Sequence, residues 1–336
     1  FCRAVFGCYV VQRLRPLLHM NPEVDYANLY RELSSKFKKK IFRKTNITEA
    51  KDDFAFLAKS LATEDTPEYA GVFALGKAKC EAQLNNATGE AAALLEAAEW
   101  FLRAEENLVL TSSFSIRENL DFFVSCSLKA ARIYEMNDHL TFAASVYIHV
   151  GDTLMKFESF DAALPILSQA ADIFCRDAPR SMHVLSKCAR CQIFMRDYVG
   201  ALTTYQRMQI LILDAYATHD YEPELFFDYM KSCEIFRVLL ILLTTPPPSL
   251  KHDSEQVGAY SLKAYLTDGQ VPSEACAAGL LDSDLFLLLK SLIMAYKSSN
   301  ITELEYTATY LQSHVSLVQR KLLCDLLEEL INPLGG

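Results

Sequence analysis

The sequence predicts an all-α fold in which antiparallel helices stack along the chain, and three observations carry that reading. From Tyr26 onward apolar residues return every three or four positions, the period of one helix face, and the pattern breaks about every twenty residues. Only 11 Gly and 11 Pro occur in 336 residues, few for an all-β chain that needs many tight turns. Small residues also recur at fixed spacing across successive breaks, as close approach between neighbouring helices requires.

The first helix is read from Tyr26, Tyr30, Leu33, Phe37 and Ile41, which share one face with lysines on its flanks. Asn46 caps the second, whose apolar stripe is Ile47, Ala50, Phe54, Leu57 and Leu61. Thr66-Pro67-Glu68 opens the third with a capping hydroxyl, a proline at the first helical position and an early acid. An Ala-rich helix follows from Gly89 to about Glu106, then helices near Ser115–Met136, Leu140–Lys156, Phe160–Arg176, Ser181–Met195 and Tyr198–Tyr216.

Gly151, Ala163, Leu167 and Ala170 match the small, Ala, large, Ala spacing of a tetratricopeptide repeat. Ala189, Ala201, Tyr205 and Met208 fit three of the four positions, and Ala131, Ala143, Tyr147 and Val150 fit about as well. These sets interleave rather than spelling out strict repeats. The expected fold is therefore a degenerate, tetratricopeptide-like right-handed α-helical solenoid of about 13–14 antiparallel helices.

A helix after Glu222 runs to Leu243 and stops at Pro246-Pro247-Pro248, which force extended backbone. A short helix near Glu255–Tyr265 and a C-terminal group from Asp284 to Ile331 complete the chain. Four segments are expected: an N-terminal extension over 1–19, with Met20 as a candidate start, a helical stack over 20–244, a proline-containing link over 245–283, and a C-terminal helical segment over 284–336.

Charge narrows the function. The formal net charge is −9, yet Arg31 to Lys44 carries seven positive charges and one negative, so the remainder stands at −15. A body of that sign repels phosphate backbones, and nucleic acid is not an expected partner. The basic strip is the exception, and Lys36, Lys38, Lys39, Lys40, Arg43 and Lys44 are the candidate partner-binding residues, an electrostatic edge for an acidic surface. A foot on membrane or nucleic acid is the competing reading of the same strip. No apolar run approaches the ~18 residues of a membrane span.

Chemistry-bearing patterns are sparse. The sequence has no Gly-rich phosphate loop, Gly-x-Ser-x-Gly elbow, His-Glu-x-x-His or kinase signature, so no catalytic residue, cofactor or metal is expected. The ten cysteines read as reduced core thiols, including Cys188 and Cys191 despite their Cys-x-x-Cys spacing. His149 and His183 read as helix-surface or satisfied core groups, Glu105-Glu106 and Glu328-Glu329 as solvated faces, and Trp100 as core. Of the Asn-x-Thr sites, Asn46 and Asn300 each precede a Glu by three residues and read as capping boxes.

Four stretches taken together carry a family resemblance: YRELSSKFKKKIFRKTNITEA (Tyr30 to Ala50), RDYVGALTTYQRMQIL (Arg196 to Leu211), CEIFRVLLILLTTPPPSL (Cys233 to Leu250) and LFLLLKSLIMA (Leu285 to Ala295). In order and spacing they resemble the forty-kilodalton huntingtin-associated protein family, products of the gene nested in a factor VIII intron. EAAEWFLRAEE (Glu96 to Glu106) supports the match. The resemblance implies a non-enzymatic all-helical adaptor that binds and stabilises huntingtin, linked to early endosomes through a Rab GTPase, with cytoplasmic and nuclear locations. It implies no catalytic residue. The chain departs from the family in a short link around Asp220 to Pro223, where vertebrate members carry a long proline-rich insert, and in residues 1–19, which have no counterpart. A vesicle-fusion adaptor of the soluble attachment-protein type is the alternative, since that class also uses a tetratricopeptide-like stack.

Overall fold

The computed structural model describes residues 25–35, 46–218, 226–244, 262–266 and 281–331. Among them the regular structure is helical: α1 Tyr26–Ser35, α2 Ile47–Thr63, α3 Pro67–Gln83, α4 Ala87–Leu110, α5 Glu118–Met136, α6 Leu140–Lys156, α7 Phe160–Ile173, α8 Ala178–Phe194, α9 Tyr198–Thr218, α10 Phe227–Leu243, α11 Lys263–Leu266, α12 Ser283–Lys297, α13 Ile301–Leu311 and α14 Leu317–Ile331. The fold is an all-α solenoid, as the sequence predicts. The N-terminal extension, the second half of the basic first segment, the triple proline and residues 255–261 of the expected short helix lie outside the described residues.

One turn design closes most of the described helix hairpins. The connections after α2, α3, α5, α6, α8 and α12 are three residues long. In each the middle residue is left-handed: Asp65, Asn85, Asp138, Glu158, Arg196 and Ser299, with φ between 54° and 61°. The third residue's N–H then donates to the carbonyl five residues back, as in Asn86 N to Glu81 O at 3.0 Å, His139 N to Tyr134 O at 2.8 Å and Asp197 N to Gln192 O at 2.8 Å. This is Schellman geometry, which satisfies the orphan carbonyls of the finished helix and reverses the chain at once.

The next helix is started by a side-chain cap. Asn46 Oδ1 accepts from Glu49 N at 3.3 Å, and Asn300 Oδ1 accepts from Glu303 N at 3.3 Å, as the capping reading requires. The glutamates differ from a standard capping box, because each accepts from the asparagine side-chain amide, at 2.6 Å for Glu49 and 3.1 Å for Glu303. Asn86, in the third Asn-x-Thr sequence, caps α4 through Gly89 N at 3.1 Å and starts that helix two residues earlier than expected. Thr66 does not cap; its hydroxyl turns back to donate to Leu61 O at 3.0 Å, and Pro67 alone preorganises the first turn of α3.

The chain forms two compact units, 1–150 and 151–336, with the division inside α6. In the first, α1 packs on α2 and α3, α2 on α3, α3 on α4, and α4 on α5. Phe54, Leu57, Leu61, Phe73 and Phe123 are fully buried there, each contributing roughly 1.5–3 kcal/mol of apolar transfer. Ala131, Ala143, Tyr147 and Val150 are buried, as the repeat spacing predicts.

In the second unit Ala163, Leu167 and Ala170 are buried, and so are Ala189, Ala201, Tyr205 and Met208. Gly151 meets Leu167 so closely that a Cβ built on it would lie 2.5 Å from Leu167 Cγ. At the start of α7, Phe160 stacks on Phe194 of α8 with centroids 4.7 Å apart. Helix α10 is buried nearly all round, and packs against α9, α12 and α14. Inside it Glu234 and Arg237 form a buried bidentate pair at 2.7 and 2.8 Å, and Tyr265 of α11 donates to Glu234 at 2.9 Å.

Candidate interaction surface

Cross-helix ion pairs run along the faces of both units. Within the first, Lys77 of α3 pairs with Glu96 of α4 at 2.6 Å, Lys129 of α5 with Glu90 of α4 at 2.9 Å, and His149 of α6 with Glu99 of α4 at 2.9 Å. Within the second, Lys187 of α8 pairs with Asp152 at 2.5 Å, and Arg207 of α9 with Asp172 of α7 at 3.1 Å. Several of these link a helix to its next-but-one neighbour, the arrangement of a two-layer stack. Such exposed pairs each contribute about 0.2–1 kcal/mol and serve register more than stability.

Where three of the first unit's acids meet, Glu96, Glu99, Trp100, Leu102, Arg103 and Glu106 line a shallow groove of about 520 Å3 on α4. Trp100 is half-buried in this groove rather than in the core expected from the sequence. Its Nε1 is covered and has no hydrogen-bond partner, while Arg103 lies 5.8 Å over the indole ring. The His149 hydrogen bond holds the Glu99 carboxyl below its ordinary range, against a smaller opposing effect of burial. Glu96 and Glu99 of this groove are thus each engaged by a cation from a neighbouring helix. His149 is a helix-surface group, as read from the sequence.

The Glu105-Glu106 pair is a correction. Glu105 is buried, not solvated, and accepts from Ser115 Oγ at 2.6 Å, which ties the α4–α5 loop to the helix. Adjacent residues on a helix face directions about 100° apart, so a doublet of acids need not share a surface. Among the described cysteines Cys80, Cys126, Cys188, Cys191 and Cys233 are buried and free, whereas Cys175 and Cys324 are exposed rather than core. Burial pushes the Cys188 thiol up to about 11 and the Cys191 thiol up to about 12, so both stay protonated and inert. Among the described residues no group of three or more His, Cys, Asp or Glu is placed to hold a metal ion, and no helix is long and apolar enough to cross a membrane.

The candidate basic edge, Lys36, Lys38, Lys39, Lys40, Arg43 and Lys44, lies outside the described residues. Just before it, Tyr30 of α1 sits edge-on to Phe54 and Phe73 at 5.5 and 5.7 Å, and Leu33 is buried.

Comparison with known proteins agrees with the two-layer helical geometry. The soluble NSF attachment protein (SNAP) family matches residues 30–219, more than half of the chain. The chain belongs to the SNAP family. The 40-kDa huntingtin-associated proteins of rat and mouse are also similar, along nearly their whole length. The rat protein is 29% identical and the mouse protein 28% identical over 365 aligned positions, in both cases covering 93% of this chain and 94% of the relative. The SNAP match ends just past α9, whereas the similarity to the huntingtin-associated relatives covers 93% of the chain and so extends beyond it. That region holds CEIFRVLL, the block most specific to the resemblance, whose Glu234–Arg237 pair fixes α10 to α11.

The sequence reading passed over two features of the surface. One is the Trp100 groove. The other is the α4–α5 loop, whose signal is legible in retrospect as a run without any charge from Asn107 to Ile116.

Proposed function

We propose that this protein is a non-enzymatic adaptor that binds and stabilises huntingtin. Similarity over 93% of the chain to the 40-kDa huntingtin-associated protein carries the reading, because it extends past the SNAP-matched portion into the C-terminal helices. The geometry supports it: ion-paired faces and a shallow, cation-occupied groove suit recognition of another protein's surface. On this reading the adaptor acts in Rab-dependent movement of early endosomes, with the Rab GTPase engaged indirectly, and it resides in the cytoplasm with an endosomal and a nuclear fraction. The basic strip from Lys36 to Lys44 meets an acidic surface of the partner, and charge reversal at Lys36, Lys39 and Arg43 slows complex formation while helical content holds.

Affinity purification from the native source, with identification of what co-purifies, tests the proposal. Huntingtin recovered at equal stoichiometry supports it; huntingtin absent from the eluate ends it. Family membership favours a second reading, a vesicle-fusion adaptor that clasps assembled membrane-fusion coiled coils. Capture of such coiled coils with huntingtin absent would decide for that function instead.

A further inference from the structure

The loop between α4 and α5 breaks the turn design that the neighbouring hairpins follow. It begins alike, with Ser112 left-handed at φ 52° and Ser113 N donating to Leu108 O at 2.9 Å. It then continues to Arg117, spanning seven residues where six other connections take three. The last residues of α4, Val109 and Leu110, and the loop residues Phe114 and Ile116 carry large apolar side chains into solvent. Leu110 is 81% exposed, Phe114 89% and Ile116 66%, with Val109 at 58% beside them.

Single exposed apolar residues need no explanation, but four of them fall here between Val109 and Ile116, and a cluster of exposed apolar side chains marks an interaction surface. This one is held rigidly as well. Thr111 Oγ1 donates to Asn107 O at 2.8 Å and lies 2.8 Å from Ser113 Oγ. Ser115 Oγ donates to the buried Glu105 at 2.6 Å while accepting from Arg117 N at 2.9 Å. The hydroxyls of Thr111, Ser113 and Ser115 are thus bonded within the loop or to Glu105, so docking it orders little chain.

We infer that this loop is a preorganised apolar anchor that inserts Leu110, Phe114 and Ile116 into an apolar, basic-edged recess on a protein partner. The charge around it selects that occupant. Between Arg103 and Lys129 the one cation is Arg117, against Glu106, Glu118 and Asp121 outside the core. Glu118 and Asp121 are exposed, giving the tip an acidic rim that complements basic residues and is repelled by an anionic lipid surface. A second copy of this chain is a poor fit, because an isologous contact needs a self-complementary surface and an exposed tip needs a recess. If the proposed huntingtin reading holds, the recess belongs to huntingtin, and the inference rests on that reading.

The test uses the full chain, its Leu110→Ser/Phe114→Ser double variant and a Ser115→Ala variant, each titrated against purified huntingtin. The double variant is expected to bind at least tenfold more weakly, and Ser115→Ala more weakly than wild type through loss of the loop's tie to Glu105. Circular dichroism and melting of the double variant should match wild type, since exposed apolar side chains add little to the fold. Wild-type affinity in the double variant overturns the anchor while leaving huntingtin binding intact, whereas failure of the wild type to bind brings down both. Two further measurements oppose it: loop-dependent flotation with phosphatidylserine vesicles would assign the tip to lipid, and loop-dependent dimerisation in sedimentation would assign it to a second copy.

Discussion

Substituting Arg237 by Met separates a structural ion pair from a decorative one. Glu234 has no exposed surface and Arg237 is 8% exposed, and they share two hydrogen bonds of 2.7 and 2.8 Å within α10. Met nearly preserves volume, so the change removes the guanidinium and leaves the Glu234 carboxyl in the core with the Tyr265 hydroxyl at 2.9 Å. Breaking one side of a buried pair costs about 3–5 kcal/mol. With a urea dependence of about 3 kcal/mol per molar, the unfolding midpoint followed by far-ultraviolet circular dichroism should fall by about 1–2 M. Replacing these three residues together, Glu234→Leu/Arg237→Met/Tyr265→Phe, removes both charges of the pair and should restore most of that loss, because an apolar cluster is often as stable as the pair it replaces. A midpoint change below about 0.3 M for Arg237→Met would refute the reasoning, since by the same slope it corresponds to under ~1 kcal/mol. A triple variant weaker than the single one would refute it too.

Gly151→Ala gains about 1 kcal/mol of helix propensity, but its Cβ collides with the buried Leu167, an overpacking cost of about 1–3 kcal/mol, so a lower midpoint is expected and a raised one would contradict the close approach. Brief alkylation of the native protein, mapped by peptide mass spectrometry, should modify Cys175 and Cys324 while Cys188 and Cys191 react only after unfolding. Glu99, held low by its His149 hydrogen bond, binds its proton less readily folded than unfolded; its stabilisation is complete above the ordinary carboxylate range near ~4.3 and is lost as pH falls through the lower folded value. Both side chains are largely exposed, so Glu99→Gln should flatten the acid limb of the stability profile only slightly, and an effect at neutral pH alone would contradict this sign.

The helices were legible because the signals for each agreed. Asn46 with Ile47, Ala50, Phe54, Leu57 and Leu61 states a cap and a face together, and the structure places the asparagine at the cap and the last four of those residues in the core. The small residues were legible for the same reason, since Gly151, Ala163 and Ala170 sit where helices touch. Boundaries were harder. Helix α5 begins at Glu118 rather than Ser115 because Ser115 spends its hydroxyl on Glu105 and Arg117 turns left-handed, a tertiary bond that local pattern does not reveal. Helix α4 likewise runs on to Leu110, past the expected end near Glu106. The surface was least legible. Exposure depends on which neighbours a helix meets, so Glu105 and Trp100, alike in their Ala-rich surroundings, went to a buried hydrogen bond and an open groove respectively.

The central claim is that this SNAP-family chain is a huntingtin adaptor. Light scattering on a size-exclusion column measures it directly: the purified chain is mixed with huntingtin at physiological salt, and the mass of each eluting species is read. A single peak whose mass is the sum of one huntingtin and one copy of this 37.9 kDa chain is the predicted result. Two peaks at the separate masses, with the chain instead shifting onto assembled membrane-fusion coiled coils, would contradict it.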